Sequence, residues 1–221
     1  MRRLTTYCRK SSDLLIFSCK ILLLATCLIA VCQLSAQSKL GFENYNYWGQ
    51  QSQGTFVPLI HFETNKNWYA ELRYNYEDAQ TISFYAGKTF SGGNDLTYSI
   101  IPLAGFSYGR FTGASIAANT EVEWKKFYIS SQSQYSVGLR KETPDFFFTW
   151  SELGYNISDH VYAGGAIQYT WQLNSGAIEP GFVVGINFKK FSVPFYVFNP
   201  FKQSSYLVLG LNYEYDLKRR K

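Results

Sequence analysis

Long stretches in which apolar and polar residues alternate run through most of this chain. In residues 68–77, for example, Trp68 and Leu72 lie on one face, whereas Glu71 and Arg73 lie on the other. A period of two is typical of a β-strand, because its successive side chains point to opposite faces. After the N-terminal segment, no window keeps apolar residues at helical spacing. The pattern therefore predicts an all-β fold.

The alternating stretches are also long. They run for about 10 to 14 residues, whereas a soluble strand usually has about 5–6, and about 9–11 tilted residues cross the hydrocarbon core of a bilayer. Aromatic residues stand near the ends of several apolar faces, and we interpret them as membrane-interface aromatics: Trp68, Tyr76, Tyr98, Tyr108, Phe127 and Trp171. Aromatic girdles around an apolar band are typical of transmembrane β-barrels.

The number of alternating stretches predicts the size of the barrel. We count twelve, an even number that brings both chain ends to one side of the membrane. Ten is the alternative, because the first stretch alternates poorly and the eleventh contains Pro194, which lacks a ladder donor. The prediction is one domain over residues 37–221, a closed antiparallel transmembrane barrel without a free sheet edge.

The first 36 residues have the pattern of a targeting segment. Residues 1–31 pass from basic and polar to mostly apolar, and Ala36 ends a short run of small or tolerated residues. This is the order of regions in a secretory signal peptide. Two alternatives stay open: an uncleaved membrane anchor, which Lys20 would interrupt, and a lipoprotein leader lipidated on a cysteine such as Cys32.

Composition excludes several classes of protein once this leader is set aside. All four cysteines lie in the leader, so residues 37–221 contain no disulfide and no thiolate metal site. Most of the net charge of +5 also belongs to the leader, which holds five basic side chains and one acidic side chain. A nearly neutral remainder has no electrostatic footprint for nucleic acid, so we expect no such partner.

The leader, the long alternating strands, the aromatics at their ends and a tyrosine-rich last strand together resemble small bacterial outer-membrane β-barrel proteins. The resemblance covers all of residues 37–221, but no motif selects a subfamily. It implies an outer-membrane location, with the lipid bilayer as the main partner. One feature departs from the pattern, because Tyr213, Tyr215 and Leu217 are followed by four basic residues instead of ending the chain. We interpret that tail as a solvated periplasmic end.

The charged positions in the strands should face inward, since a charge on the lipid face costs ~2–4 kcal/mol near the midplane. The lumen-lining candidates are His61, Glu63, Glu71, Arg73, Glu121, Glu123, Lys125, Glu152, Glu179 and Glu214. Acids outnumber bases in this set, so an open lumen should favour cations or neutral solutes over anions. Alternatively, the charges pair across the lumen and form a stabilising plug.

The search for catalytic chemistry finds little. His61 and Glu63 share a face and could act as a base and its orienting group, but a lumen hydrogen-bond network is the simpler interpretation. Outer-membrane phospholipases resemble one another in placing a histidine and a nucleophilic serine two residues apart on a strand. Here Glu63 and Tyr162 stand two residues after His61 and His160. Metal-ligand spacings are missing too, so we predict no catalytic residues, no metal and no cofactor.

Three functional hypotheses follow. The first is a narrow channel for small solutes with an acid-rich lumen. The second is a structural or accessory barrel that assists a partner protein of the envelope, whose identity the sequence does not give. The third is a lipid-acting enzyme that uses His61, and a secreted soluble β protein is a further alternative. The sequence favours the first two, and therefore a protein that is not an enzyme.

The leader generates the first testable prediction. Cleavage should follow Ala36, so the N-terminal sequence of the protein isolated from the membrane should begin at Gln37. Mass spectrometry of the intact chain checks this result. A chain that starts before residue 30, or one that carries a lipid on Cys32, would contradict it.

Overall fold

The computed structural model describes residues 38–49 and 52–217, and the predicted signal peptide lies outside these residues. The described chain is almost entirely strand. Its elements are β1 (Ser38–Gly49), β2 (Ser52–Glu63), β3 (Trp68–Tyr74), β4 (Ile82–Lys88), β5 (Phe90–Gly93), β6 (Leu96–Tyr108), β7 (Gly113–Trp124), β8 (Phe127–Gly138), β9 (Phe146–Asn156), β10 (Val161–Gln172), β11 (Ser175–Phe188), β12 (Phe191–Phe198) and β13 (Tyr206–Leu217). In this part of the chain, no helix is long and apolar enough to cross a membrane.

The strands form one closed antiparallel barrel. Neighbours in sequence pair with each other, and β1 closes the ring by pairing with β13 over its whole length. Both β4 and β5 pair with β6 in a continuous register, so they are two segments of one barrel strand. The barrel therefore has twelve strands, which confirms the predicted closed barrel of twelve rather than ten strands.

Two prolines explain two of the irregularities in the ladder. The gap between β4 and β5 lies opposite Pro102, which has no N–H to donate. The predicted eleventh strand does contain Pro194, and the pairing of β12 with β13 is interrupted beside it. Its ring also needs space, because a Cβ at Gly210 would lie 2.5 Å from Pro194 Cγ. Each of the two prolines lies in a strand whose hydrogen-bond ladder with its other neighbour is continuous: β6 with β7 for Pro102, and β12 with β11 for Pro194.

The two ends of the barrel differ in their connections. At the end that holds both described termini, here the termini end, the turns are residues 64–67, 94–95, 125–126, 157–160 and 189–190. At the opposite end, here the loop end, the connections include residues 75–81, 109–112, 139–145, 173–174 and 199–205. Outer-membrane barrels have short periplasmic turns and longer external loops. By that rule the termini end faces the periplasm.

The outer surface of the barrel is apolar. Ile116, Phe182 and Leu153 are 67%, 61% and 57% exposed on this face, whereas Glu71 and Arg73 inside the barrel are each 2% exposed. An apolar outer surface and charged inner positions are the inverse of a soluble barrel, whose core is apolar. The arrangement is that of a transmembrane barrel with its apolar band in lipid.

Most of the predicted interface aromatics lie on the outer face. Trp68, Tyr98, Tyr108 and Phe127 are exposed near strand ends, and Trp171 is half-buried near the end of β10. Tyr76 departs from the prediction and lies inside the barrel, where its hydroxyl donates to Gln132 Oε1 at 2.6 Å. The reason is local: β3 ends at Tyr74, and Asn75 has a φ of 58°, which breaks the alternation.

One region of the outer face is polar. Ser131 and Ser133 of β8 and Thr149 and Ser151 of β9 share the face of the exposed Ile129. Their hydroxyls form a network, with 2.9 Å between Ser131 and Ser151 and 2.8 Å between Ser133 and Thr149. Hydrocarbon provides no hydrogen-bond partner, so the hydroxyls satisfy one another.

The orientation of the strands generates the second prediction. Ile167→Arg places a charge on the outer face in the middle of β10, and we expect it to lower the free energy of unfolding in bilayers by ~2–4 kcal/mol. Ser130→Arg is the matched control, because Ser130 faces inward between Glu121 and Glu152 in the strand register. Urea titration of the refolded protein in lipid vesicles measures both values. Equal costs would mean that the faces are assigned wrongly.

Candidate functional site

A chamber occupies the half of the lumen nearer the termini end. Its volume is about 490 Å³. Seven carboxylates line it, together with the cationic or titratable side chains of Lys39 and His61; the seven are Glu43, Glu63, Glu71, Glu121, Glu123, Glu152 and Glu214. We call this cavity the chamber.

The rim of the chamber lies at the termini end. Lys39 Nζ is 3.3 Å from Glu214 Oε1, and both side chains are more than half exposed. Glu121 and Glu123 occupy successive inward positions of β7, about 7 Å apart along the strand. Both are exposed to the cavity, and Glu63 follows on β2. The rim is therefore wet and mainly anionic.

The floor of the chamber combines aromatic rings with two carboxylates. The ring centroid of Trp150 is 5.3 Å from that of Tyr45 and 4.9 Å from that of Tyr196. Tyr196 donates its hydroxyl to Glu152 Oε1 at 2.8 Å, and Tyr45 donates to Glu43 Oε2 at 3.3 Å. The tyrosine hydroxyls thus hold both carboxylates against aromatic walls.

His61 starts a chain of polar contacts that runs from the chamber to side chains buried deeper in the barrel. Its Nδ1 lies 3.0 Å from the Tyr69 hydroxyl and 3.7 Å from Glu43 Oε1. Tyr69 in turn donates to Glu71 Oε2 at 3.0 Å. The imidazole fits because residue 41 is glycine, since a Cβ there would lie 1.5 Å from His61 Nε2. The carboxylate beside His61 is that of Glu43 and not the Glu63 of the sequence interpretation.

Arg73 is paired and hydrogen-bonded on several sides in the interior. It pairs with Glu71, its Nη1 donates to Gln134 Oε1 at 2.8 Å, and the same atom lies 3.7 Å from Glu77 Oε1. The guanidinium carbon also lies over the ring of Tyr85, 4.2 Å from its centroid. Buried charges are tolerated when they are paired and hydrogen-bonded, and Arg73 meets both conditions.

Side chains from distant strands meet across the lumen at this level. Arg73 of β3 reaches Gln134 of β8, and Tyr45 of β1 packs on Trp150 of β9. Tyr76 stands between them with its ring 6.2 Å from that of Phe148. We call Tyr45, Arg73, Tyr76, Gln134 and Trp150 the central layer. The side chains of the central layer therefore meet across the lumen and obstruct it.

A second cavity lies on the other side of the central layer, at the loop end. It has a volume of about 370 Å³ and is lined partly by Glu77, Asp78, Arg110 and Glu142. Glu179 lies inside this half of the barrel as well, where it accepts hydrogen bonds from Asn199 and Tyr206. Within the described residues, the chamber and this second cavity thus lie on opposite sides of the central layer.

Nine of the ten predicted lumen residues lie inside the barrel, and one does not. Seven line the chamber: His61, Glu63, Glu71, Glu121, Glu123, Glu152 and Glu214. Arg73 belongs to the central layer, and Glu179 lies in the loop half. Lys125 is the exception, because it sits in the turn after β7 with a φ of 56° and its Nζ lies over the Trp124 ring.

The sequence interpretation missed Lys39, Glu43 and Glu77. The first two lie on β1, where Asn44 and Asn46 interrupt the apolar outer face and hide the period of two. Glu77 lies in the connection after β3, where no alternation predicts a direction. A useful signal would have been the paired register of β1 and β2, but pairing becomes known only with the fold.

The described residues offer no obvious metal site. Nowhere among residues 38–49 and 52–217 do three His, Cys, Asp or Glu side chains converge as a bound ion would need. The carboxylates of the chamber are instead spread over several strands and depths. Their arrangement suits a diffuse attraction for cations better than tight coordination of one ion.

Comparison with known proteins finds solved structures with a similar fold. No family model matches the sequence, and no curated protein matches it either. Among solved structures the chain is similar to a KdgM porin, with 12% sequence identity, a TM-score of 0.58, and 78% of this chain and 98% of that chain covered. A second match is a KdgM porin in complex with disordered oligogalacturonate, at 10% identity and a TM-score of 0.57, covering 79% and 98% of the two chains. The architecture is that of bacterial outer-membrane porins.

The buried ion pair generates the third prediction. Arg73→Met leaves Glu71 and Glu77 without their cationic partner, so we expect a loss of ~3–5 kcal/mol in the free energy of unfolding. Lys39→Met removes the exposed rim pair with Glu214 and should cost no more than ~1 kcal/mol. Urea titration in vesicles compares the two variants. Similar losses would contradict the assignment of Arg73 to a buried ion pair in the central layer.

Proposed function

We propose that this protein is a narrow pore of the bacterial outer membrane that passes small cations and neutral solutes. The observation that carries the proposal is the charge of the chamber. Seven carboxylates face a cavity of about 490 Å³ to which Lys39 contributes the only permanently cationic side chain among its described lining residues. Rings of acidic side chains select cations in channels, because their field attracts cations and repels anions.

The fold supports the same proposal. Porins share the barrel architecture, and the chain covers 98% of the KdgM porin to which it is similar. One such porin is described in complex with oligogalacturonate, a ligand that carries carboxylates. The chamber of the present chain would repel that ligand, so we expect its solutes to have the opposite charge or none.

The central layer supports a small size limit. Contacts across the lumen, such as the 2.6 Å hydrogen bond from Tyr76 to Gln132, obstruct the path between the two cavities unless side chains move. Tyr76 lies in a connection outside the strands, so it can move without breaking the ladder. A narrow pore is consistent with a barrel of twelve strands, which lies between packed small barrels and open porins.

A second candidate function rests on the same layer. If the central layer stays closed, the protein is a sealed barrel that serves an envelope component as an anchor or accessory. The buried state of Arg73 and its four partners favours this candidate. The two functions differ in one measurable property, which is conductance.

The fourth prediction tests that property. Protein extracted from membranes and inserted into a planar bilayer should conduct, and a salt gradient should give a reversal potential of the sign expected for cations. The double variant E121Q/E123Q should move the reversal potential towards zero, because it removes two carboxylates of the chamber. Asp95→Asn is the control, since Asp95 is an exposed acid in a turn at the same end.

The outcomes separate the two candidates. A wild-type barrel that never conducts, although Tyr76→Ala conducts, would support the sealed barrel and contradict the pore. Anion preference in the wild type would contradict the proposed selectivity. A shift of equal size in D95N and in E121Q/E123Q would mean that the chamber does not set the selectivity.

A further inference from the structure

The termini end of the barrel separates its charges between inside and outside. Carboxylates such as those of Glu121 and Glu123 line the chamber, whereas the turns around it are mainly basic. The five turns at this end carry five lysines and two aspartates, which are Lys66, Lys125, Lys126, Lys189, Lys190, Asp95 and Asp159. The nearly neutral net charge of the barrel therefore conceals a basic outer rim.

Five lysines at this end lie over aromatic rings of the outer face. Nζ of Lys125 is 4.8 Å from the ring centroid of Trp124, and Nζ of Lys190 is 4.2 Å from that of Tyr215. The other three pairs, with distances of 5.5–5.9 Å, are Lys88 with Trp68, Lys126 with Tyr155 and Lys189 with Phe188. All five rings are between 40% and 60% exposed. We call these five lysines and their rings the lysine girdle.

The lysine girdle belongs to one face of the membrane. Its members occupy three sectors of the ring: Lys88 at the end of β4, residues 125–126 between β7 and β8, and residues 189–190 between β11 and β12. Among the described residues of the loop end, the one such pair is Arg140 over Tyr108. Aromatic belts lie at the level of the lipid headgroups, so the ammonium groups of the girdle stand at that level too.

The charges of the lysine girdle are not neutralised by the protein. The ion pairs of the described residues involve other cationic groups, namely Lys39, His61, Arg73 and Arg110. The girdle lysines therefore have no carboxylate partner in this part of the chain. An ammonium group has three N–H donors, and a ring face meets it from one side only. Donors remain free for an anion on the lipid side.

The geometry of the turns does not account for these lysines. Lys125 and Lys189 have φ angles of 56° and 54°, in the left-handed region. Each begins a two-residue connection between antiparallel strands, where such φ angles favour asparagine or glycine. Both connections consist of two lysines instead. Positive charge at this level of the membrane explains a choice that the backbone disfavours.

We propose that the lysine girdle binds the phosphate groups of anionic phospholipids in the leaflet next to the termini end. By the rule of loop lengths this is the periplasmic leaflet. Phosphate oxygens accept from the lysine N–H groups, while the ring beneath each ammonium holds it at the headgroup level. Attraction to an anionic surface raises affinity about fivefold for each lysine near it. The proposal goes beyond the pore function, because it concerns the outer face and not the lumen.

The test is native mass spectrometry of the protein isolated from membranes, which counts the lipid molecules bound to it at low salt. Palmitoyl-oleoyl phosphatidylglycerol is the probe. The phosphatidylcholine with the same chains is its matched control, because choline neutralises the phosphate. We expect phosphatidylglycerol to bind about fivefold more tightly or better, and the preference to fall as salt screens the exposed lysines. Equal affinities for the two lipids at low salt would overturn the proposal.

Variants locate the binding surface. K125Q/K126Q/K189Q/K190Q removes four of the five charges and should abolish the preference. K141Q/K202Q is the matched control, because it removes two exposed lysines of the loop end and should keep the preference. Arginine at the four girdle positions should keep it as well, since a guanidinium retains the charge and stacks on rings. Heat-dependent migration in gel electrophoresis verifies that each variant is a folded barrel. If the fourfold glutamine variant does not fold, K125Q/K126Q and K189Q/K190Q should each lower the preference.

Two further outcomes would contradict the proposal. A preference that survives intact in the folded glutamine variants, or one that is lost in K141Q/K202Q, would overturn the site. Binding of soluble poly-glutamate through the same lysines, with equal affinities for the two lipids, would assign the girdle to an acidic polymer and overturn the lipid. None of these measurements uses conductance, so the lysine girdle and the pore are tested separately.

Discussion

The closed ring of backbone hydrogen bonds is the constraint on which the rest of this protein depends. Hydrocarbon offers no partner to an N–H or C=O group, so each strand must be bonded on both sides. The pairing of β1 with β13 over their full length meets that requirement where the chain begins and ends. Pro102 and Pro194 interrupt the ladder on one side only, and a continuous neighbour on the other side holds each strand in place. Everything that the interior does is built on this ring.

Closure with an apolar outer face forces the polar residues inward. In a barrel of twelve strands the inward side chains are long enough to meet, as Arg73 and Gln134 do from β3 and β8. The interior then has two ways to hold its charges. In the central layer they are paired and hydrogen-bonded around Arg73, whereas in the chamber they face open space. The contrast between a packed layer and an open anionic cavity is the main structural feature of the interior.

The sequence predicted the architecture well because the lipid imposes a simple rule. Most strands have one apolar face, so the alternation in β3 separates Trp68 and Leu72 from Glu71 and Arg73, and the number of such stretches predicts twelve strands. The rule ends where the strand ends. Tyr76 turns inward after the left-handed Asn75, and Lys125 belongs to a turn. Contacts between strands that are far apart in sequence, such as Tyr45 with Trp150, depend on the tilt and stagger of the barrel, which the alternation does not contain.

The chamber also has a consequence for the water next to the outer membrane. Five carboxylates without a lysine or arginine partner among the described residues share a cavity of about 490 Å³, well within a Debye length of one another. Fixed charges in such a compartment would hold counter-ions in Donnan equilibrium with the surrounding solution, as they do in a cation-exchange resin. Its counter-ion content is set by its own carboxylates, and dilution of the external solution changes it little. What would vary with the surroundings is the identity of the counter-ions.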